Sequence, residues 1–292
     1  MSSDGGFKYY HYSPSFGAAV TFVVLFSIAS IRHIQLLIKK KTWAFIPFVI
    51  GRLFEAFGYV ARAMSARQSP DWTLKPYIMQ SLLTLLGPTL YAASIYMVLG
   101  RLVRLLDAGS YSLIKPKWLT KFFLLGDILS FFGQGGGGGI LATAKTESSQ
   151  DLGNNVILIG LGIQVAFFAF FIVVTIVFHL RIARNPTTKS LTTATPWSKF
   201  IWILYLASVL IMVRSVFRMA EYAQGNNGSL LQKEAYVYVL DATLMFVVAA
   251  VFAVYHPGDV LQDYAVLVDR LGDSNIPDNY PMVKGARLRG RV

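Results

Sequence analysis

The sequence predicts an all-α membrane protein, a seven-transmembrane helix bundle with the amino terminus outside and the carboxyl terminus in the cytoplasm. The 292 residues are 54% hydrophobic and 14% charged, whereas about a quarter of the residues in a soluble domain are charged. Apolar runs of roughly 20 residues, each long enough to cross ~30 Å of hydrocarbon, recur along the whole chain. Lysines and arginines concentrate on one side of these runs, as in membrane proteins of defined orientation.

Seven apolar runs define the predicted spans, and the segments between them are too short for a separate soluble domain. Their approximate bounds are residues 16–38, 44–64, 77–103, 119–144, 155–181, 198–222 and 235–255. Pro196 stands where the sixth helix should begin, and Pro257 stands where the seventh should end.

Positive charge indicates which ends of the spans face the cytoplasm. Most of the 27 lysines and arginines follow the first, third and fifth spans or lie in the carboxyl-terminal tail. The predicted organisation is an outer tail (1–15), a transmembrane domain (16–258) and a cytoplasmic tail (259–292). Apolar residues within 259–271 share one helical face, which indicates an amphipathic helix on the inner membrane surface. Asn227 begins a glycosylation sequon in an outer connection, and whether it is modified stays open.

Eight of the ionisable residues within the predicted spans make up the charged part of the predicted site, and each costs ~2.5–3.5 kcal/mol at the centre of a helix. They are four arginines and four acids: Arg52, Arg62, Arg214, Arg218, Glu55, Asp127, Glu221 and Asp241. Because their charges sum to zero, internal pairing is expected. Within each helix, spacings of three, four and seven residues place these charged residues on one face together with other polar side chains. The polar residues added to the predicted site are Tyr59, Gln80, Gln134, Gln164 and Tyr238.

These residues form the predicted site for binding or translocating a substrate. At a rise of 1.5 Å per residue, Arg52, Glu55 and Asp127 fall ~12–17 Å from the inner side, and most of the others fall in the outer half. The hypothesis is a polar vestibule that opens outward above a charged cluster near the midplane. The alternative is a static lattice of salt bridges that only holds the helices together, although apolar replacements of buried pairs are often equally stable.

A run of glycines from Gly135 to Gly139 interrupts the fourth span. Glycine costs about 1 kcal/mol relative to alanine inside a helix, so the run needs a compensating use. Close helix packing, or a locally unwound backbone beside a cavity, would account for the glycines. Gly51 and Gly58 on the second helix fit internal packing or a contact in a homo-oligomer, and both readings stay open.

Several of these residues fall in motifs of one known family. The motifs are Glu55-x-x-Gly58-Tyr59-x-x-Arg62, Pro88-x-x-Tyr91-Ala92-Ala93-x-x-Tyr96, Asp127-x-x-Ser130-x-x-x-Gln134, Arg214-x-x-x-Arg218-x-x-Glu221 and Glu234-x-x-x-Tyr238-x-x-Asp241. Over residues 45–260 the chain resembles the fungal lipid-translocating exporter family, the RTA-like proteins named for resistance to aminocholesterol. The resemblance implies a plasma-membrane protein without an ATP-binding domain. It also implies export of amphipathic lipids, such as sphingoid long-chain bases, and resistance to membrane-active toxins.

The sequence does not determine the substrate or the energy source. The resemblance does not identify the substrate, because relatives are also linked to porphyrin traffic. The four acids would attract an ammonium head group, whereas the arginines of the outer half would suit a phosphate. The acids could carry protons in an exchange cycle, or the protein could let lipids equilibrate.

Two other function classes compete with transport. Seven helices with an outer amino terminus are also the plan of receptors, so a lipid sensor without transport activity is the second hypothesis. A zinc hydrolase would need His33, His179 and His256, which lie at inner helix ends without a paired ligand motif. With no cysteine, nucleotide fingerprint or serine-hydrolase signature, the sequence predicts neither an enzyme nor a cofactor. Membrane lipids are the expected partners, and nucleic acid is not.

Overall fold

The computed structural model describes residues 10, 12–144, 146–193, 196–224, 228–258 and 260, and every regular element in this part of the chain is helical. The long helices are α1 (Phe16–Lys40), α2 (Ile46–Arg67), α3 (Leu74–Leu105), α4 (Pro116–Thr143), α5 (Glu147–Arg184), α6 (Trp197–Ala223) and α7 (Glu234–Val254). Short helical turns lie in the connections at Trp43–Phe45, Gly109–Tyr111, Thr188–Thr192 and Ser229–Gln232. Asn227 lies outside the described residues. So does the predicted surface helix at 259–271, except for residue 260.

The long helices fit a membrane protein. Within the described residues, six of them are long and apolar enough to cross a bilayer, namely all except α4. Helix α4 has 28 residues, but Asp127, Gln134 and its glycines lower its mean hydropathy. Large apolar side chains point away from the bundle, among them Ile28 (62% exposed) and Phe132 (70% exposed). A surface of this kind is stable against lipid and costly against water.

Local sequence signals account for several helix ends. The Ser15 hydroxyl accepts a hydrogen bond from the Ala18 amide at 3.3 Å and caps α1. Pro116 is the first residue of α4, where its missing N–H costs nothing. As predicted, Pro196 directly precedes α6, and α7 ends shortly before Pro257.

Helix α3 lies at the centre of the bundle. It packs against its sequence neighbours α2 and α4 and also against α5 and α6. Neighbouring helices pack side by side around it, and α7 closes the arrangement by packing against α1. Small residues on α3, including Gly87, Ala92 and Ala93, are buried and let other helices approach closely. Polar groups carried by the surrounding helices are thereby held around one axis.

The glycine run keeps its helical conformation, so of the two alternatives the structure favours close packing over an unwound segment. Two of the five glycines serve close packing instead. A Cβ on Gly137 would lie 2.6 Å from the carbonyl oxygen of Gly153 on α5, and a Cβ on Gly138 would meet Leu82 of α3 at 2.6 Å. A Cβ on Gly135, Gly136 or Gly139 would meet nothing within 4 Å. Gly137 and Gly138 therefore let α4 pack closely against α5 and α3, and the other three glycines do not take part in this packing.

This difference predicts opposite effects for two alanine substitutions in the same helix. Gly137→Ala should destabilise the protein by about 1–3 kcal/mol, because the new methyl group would push the α5 backbone away. Gly136→Ala should leave stability unchanged or raise it by up to ~1 kcal/mol, because alanine favours the helix and meets open space. Thermal unfolding of both variants in detergent provides the comparison. Equal effects would show that the close approach of α4 and α5 does not limit stability.

Candidate functional site

The side chains of the predicted site are buried rather than arranged around an open vestibule. Arg52, Glu55 and Arg214 are fully buried, and Gln80 is the most exposed of the buried set at 9%. Tyr238 is half-buried. Among the described residues these side chains therefore do not line an open vestibule, and several of them contact one another. Most of the polar interior divides into three clusters beside α3, and Arg52 and Glu55 lie outside them.

The first cluster joins α6 to α7 through buried ion pairs. Arg214 Nε donates to Asp241 Oδ1 at 2.8 Å, and its Nη2 donates to the carbonyl oxygen of Thr84 on α3. Arg218 Nη1 lies 2.6 Å from Glu221 Oε2 and 3.9 Å from Asp241 Oδ2. These contacts confirm the expected internal neutralisation for two arginines and two acids. We call this group the central ion cluster.

A π-helical segment, Tyr238–Thr243, positions the acid of this cluster within α7. A π turn contains an extra residue relative to an α turn and rotates the residues that follow it. The polar face predicted for α7 is consequently divided. Tyr238 points to α2 and contacts Arg62, whereas Asp241 points to α6 and contacts Arg214.

The second cluster surrounds Arg62 at the end of the bundle where α1 begins. Arg62 donates from Nη2 to Glu234 Oε1 at 2.9 Å and to the Tyr12 hydroxyl at 2.8 Å. Its Nε donates to the Tyr238 hydroxyl at 3.0 Å. The guanidinium carbon also lies 5.0 Å from the centre of the Tyr238 ring. Arg62 is therefore held between α2, α7 and the segment that precedes α1.

That preceding segment, residues 10 and 12–15, is the N-terminal strap, and it covers this end of the polar interior. Tyr10 is 4% exposed, and its hydroxyl donates to Gln80 Oε1 on α3 at 2.7 Å. Burial raises the pKa of Tyr10 to about 12, so the hydroxyl remains a donor at physiological pH. The Ser15 amide donates to Glu234 Oε1 at 2.9 Å. The strap is thus tied to both α3 and α7.

At the other end of the ionic region, the predicted stripe of Arg52 and Glu55 does not form an ion pair. Arg52 Nη1 lies 3.1 Å from His33 Nδ1 on α1. Neither carboxylate oxygen of Glu55 has a hydrogen-bond partner within the described chain, and the same holds for the buried hydroxyls of Tyr59 and Tyr91. A Cβ on Gly87 would lie 3.0 Å from Glu55 Oε1, so this carboxylate rests against α3.

The third cluster contains amides and hydroxyls between α3, α4 and α5. Gln134 Nε2 donates to Gln164 Oε1 at 2.9 Å, and Gln164 Nε2 donates to the Thr89 hydroxyl at 3.2 Å. Asp127 forms no hydrogen bond or ion pair with Arg52 or Glu55 in the described structure, so the contacts do not join the three as a cluster. Its Oδ1 is 3.5 Å from the Tyr96 hydroxyl of α3.

Several residues outside the predicted site also belong to these clusters. Glu234 lies in the same motif as Tyr238 and Asp241, so its spacing was an available signal. Tyr96 and Ser130 also stand within the family motifs. Tyr12 carries no comparable signal, because a tyrosine before a span reads as an ordinary interfacial residue.

The three histidines do not form a metal site. The rings of His33 and His256 lie 6.4 Å apart, whereas His179 Nδ1 lies 3.2 Å from the Tyr205 hydroxyl. Among the residues with described positions, no three histidine, aspartate or glutamate side chains are grouped to hold a metal ion. The residues named for the zinc hydrolase hypothesis are therefore not brought together.

Comparisons with known proteins show what the chain is similar to. It is 37% identical over 291 residues to Protoporphyrin uptake protein 1 of Saccharomyces cerevisiae, covering 87% of this chain and 93% of that protein. It is 33% identical over 282 residues to Protein RTA1 of the same yeast, covering 88% and 87%. It is 26% identical over 277 residues to the sphingoid long-chain base transporter RSB1 of Saccharomyces cerevisiae, covering 84% and 72%. No solved structure matches the chain.

A family model described as RTA1 like protein matches residues 48–264. This range agrees with the resemblance seen over residues 45–260 and includes every residue of the predicted site. The match extends across the long helices from α2 to α7, so it concerns the bundle as a whole. The chain belongs to the RTA1-like family, a fungal family with members named as lipid-translocating exporters and lipid transporters.

Proposed function

We propose that this chain moves an amphipathic lipid with a cationic head group, such as a sphingoid long-chain base, across the plasma membrane. The observation that carries the proposal is a buried carboxylate, that of Glu55, which forms no hydrogen bond in the described structure. Three arginines already contact carboxylates, whereas the Glu55 carboxylate has no hydrogen-bond partner in the described structure. The name of the relative RSB1, a sphingoid long-chain base transporter, supports the same substrate class.

The pairing favours an ammonium over a phosphate head group. At Arg62, Arg214 and Arg218 a phosphate would have to displace a carboxylate that lies 2.6–2.9 Å away. Of the four buried arginines in the described chain, only Arg52, which contacts His33, has no acid to displace. An ammonium would instead neutralise Glu55. The Tyr59 hydroxyl lies on α2, the helix of Glu55, and the Tyr91 hydroxyl lies on α3, the helix that Glu55 rests against. Both hydroxyls could accept hydrogen bonds from the remaining N–H groups of the ammonium. A lone buried carboxylate is costly, and a cation removes this cost while it is bound.

The geometry also supports a transport cycle in which either end of the ionic region can be closed. The N-terminal strap covers one end of the ionic region, and the contact of Arg52 with His33 lies toward the other. The proposed cycle opens these contacts alternately, with α4 as a seventh span and the amino terminus outside. Export in this orientation would remove membrane-active compounds from the cytoplasmic leaflet and give resistance to them. The activity is transport rather than an enzymatic reaction.

Stability measurements should separate a structural acid from a functional one. Asp241→Asn should lower stability by about 3 kcal/mol, because it leaves Arg214 as a buried charge without its partner. Glu55→Gln should leave stability unchanged or raise it, because the lost charge has no hydrogen bond to lose. Thermal unfolding of the two purified variants tests this contrast. A large loss in Glu55→Gln would identify Glu55 as part of a structural lattice.

Transport should depend on Glu55 even where folding does not. Liposomes containing the purified protein should move a fluorescent sphingoid base faster than protein-free liposomes and faster than a fluorescent phospholipid. Glu55→Gln should reduce the sphingoid-base rate by at least about tenfold, equivalent to ~1.4 kcal/mol of lost stabilisation. Glu147→Gln removes an exposed carboxylate at the start of α5 and should retain the wild-type rate.

The outcomes of this experiment are distinct. A full rate in a well-folded Glu55→Gln variant would refute the assigned role of Glu55, and preference for the phospholipid would refute the cationic head group. If neither probe moves, with or without a proton gradient, transport is refuted. Ligand-dependent stabilisation would then favour the lipid sensor.

The absence of cysteine from the chain allows a direct test of orientation. Ser69 and Ser110 are exposed in the connections that follow α2 and α3. In intact cells, a membrane-impermeant maleimide should label the Ser69→Cys variant but label Ser110→Cys only after permeabilisation. The opposite pattern would place the amino terminus in the cytoplasm.

A further inference from the structure

We propose that a cleft between the ends of α1, α6 and α7 binds the phosphate head group of an anionic membrane lipid. The cleft has a volume of about 380 Å³ and lies where α1 and α7 end and α6 begins, at the opposite end of α1 from the N-terminal strap. It shares no lining residue with the proposed transport site. The inference is therefore independent of transport.

The lining of the cleft is strongly basic. Arg32, Lys39 and Lys40 reach it from α1, and Lys199 reaches it from α6. No aspartate or glutamate is among its described lining residues. Within the described chain, Arg32, Lys39 and Lys199 form no ion pair, so their charge is available to a ligand. A phosphate accepts hydrogen bonds from guanidinium and ammonium groups and neutralises them.

The basic side chains converge on the cleft because of their helical positions. Arg32, Leu36 and Lys39 follow one another at spacings of four and three residues and so share one face of α1. Lys199 Nζ lies 4.2 Å from the centre of the Tyr255 ring, which orients this ammonium group beside the end of α7. Two helices thus present positive charge to one concave site. Basic pockets between transmembrane helices are typical binding sites for lipid head groups.

The remaining walls favour a lipid over free phosphate. Leu36 and Phe200 are buried at the base of the cleft, and Val254 at its rim is 73% exposed. One turn before Arg32, Ile28 continues the outer face of α1 and is 62% exposed. An acyl chain on this surface would cover apolar side chains while its phosphate neutralises the basic ones. Inorganic phosphate would use only the charged part of the site.

Ligand-induced stabilisation of the purified full-length protein tests the site. Short-chain phosphatidylserine in neutral detergent should raise the unfolding midpoint by about 3 °C or more at saturation. The double variant Arg32→Gln, Lys199→Gln should lose this shift. The matched double variant Lys115→Gln, Lys117→Gln removes the same charge from exposed positions at the start of α4 and should keep it.

Each result supports or overturns the inference. Equal loss in both double variants would show nonspecific attraction to the basic side of the bundle, and no shift in the wild-type protein would exclude the site. An equal shift with inorganic phosphate would assign the cleft to a soluble phosphate ligand instead of a lipid. A shift with phosphatidylserine that exceeds the one with phosphate, and that is lost only in the cleft variant, would establish lipid binding.

Discussion

The cost of placing arginine in an apolar interior governs the arrangement of this protein. Arg52, Arg62 and Arg214 are no more than 1% exposed, and each has a polar partner on another segment. Removing either partner of a buried pair leaves an uncompensated charge, so these contacts constrain how the helices rotate and pack. Arg214 shows this most directly, because it joins α6 to the Asp241 carboxylate of α7 and to a backbone carbonyl of α3.

Helical periodicity predicted the helices and their buried faces because both depend on local spacing. It predicted the partners of the charges less well, since these depend on how whole helices rotate. Arg52 and Glu55 share a face of α2, yet Arg52 contacts His33 of α1. The π turn in α7 and the return of Tyr12 onto Arg62 are likewise tertiary features without a local signal. The division into separate polar clusters follows from these contacts.

The two sides of α3 use different chemistry. Toward α2, α6 and α7 the polar interior contains ion pairs. Toward α4 and α5 it contains amide and hydroxyl contacts, the contact of Asp127 with Tyr96, and glycine packing. Neutral hydrogen bonds tolerate a low-dielectric environment without a counter-charge. An ionic half and a largely uncharged half therefore meet at one central helix. The ionic half also holds Glu55, whose two buried carboxylate oxygens have no hydrogen-bond partner in the described chain.

The position of Arg62 also bears on how the protein is made. Helix α2 carries three arginines and one glutamate, but the acid that contacts Arg62 comes 172 residues later, on α7. At a synthesis rate of ~5–20 residues per second, this corresponds to a delay of about 10–30 s. During that interval α2 would enter lipid with an unneutralised guanidinium, which is unfavourable. The ion pair between Arg62 and Glu234 can therefore form only after α7 has been made, so this part of the bundle is completed late.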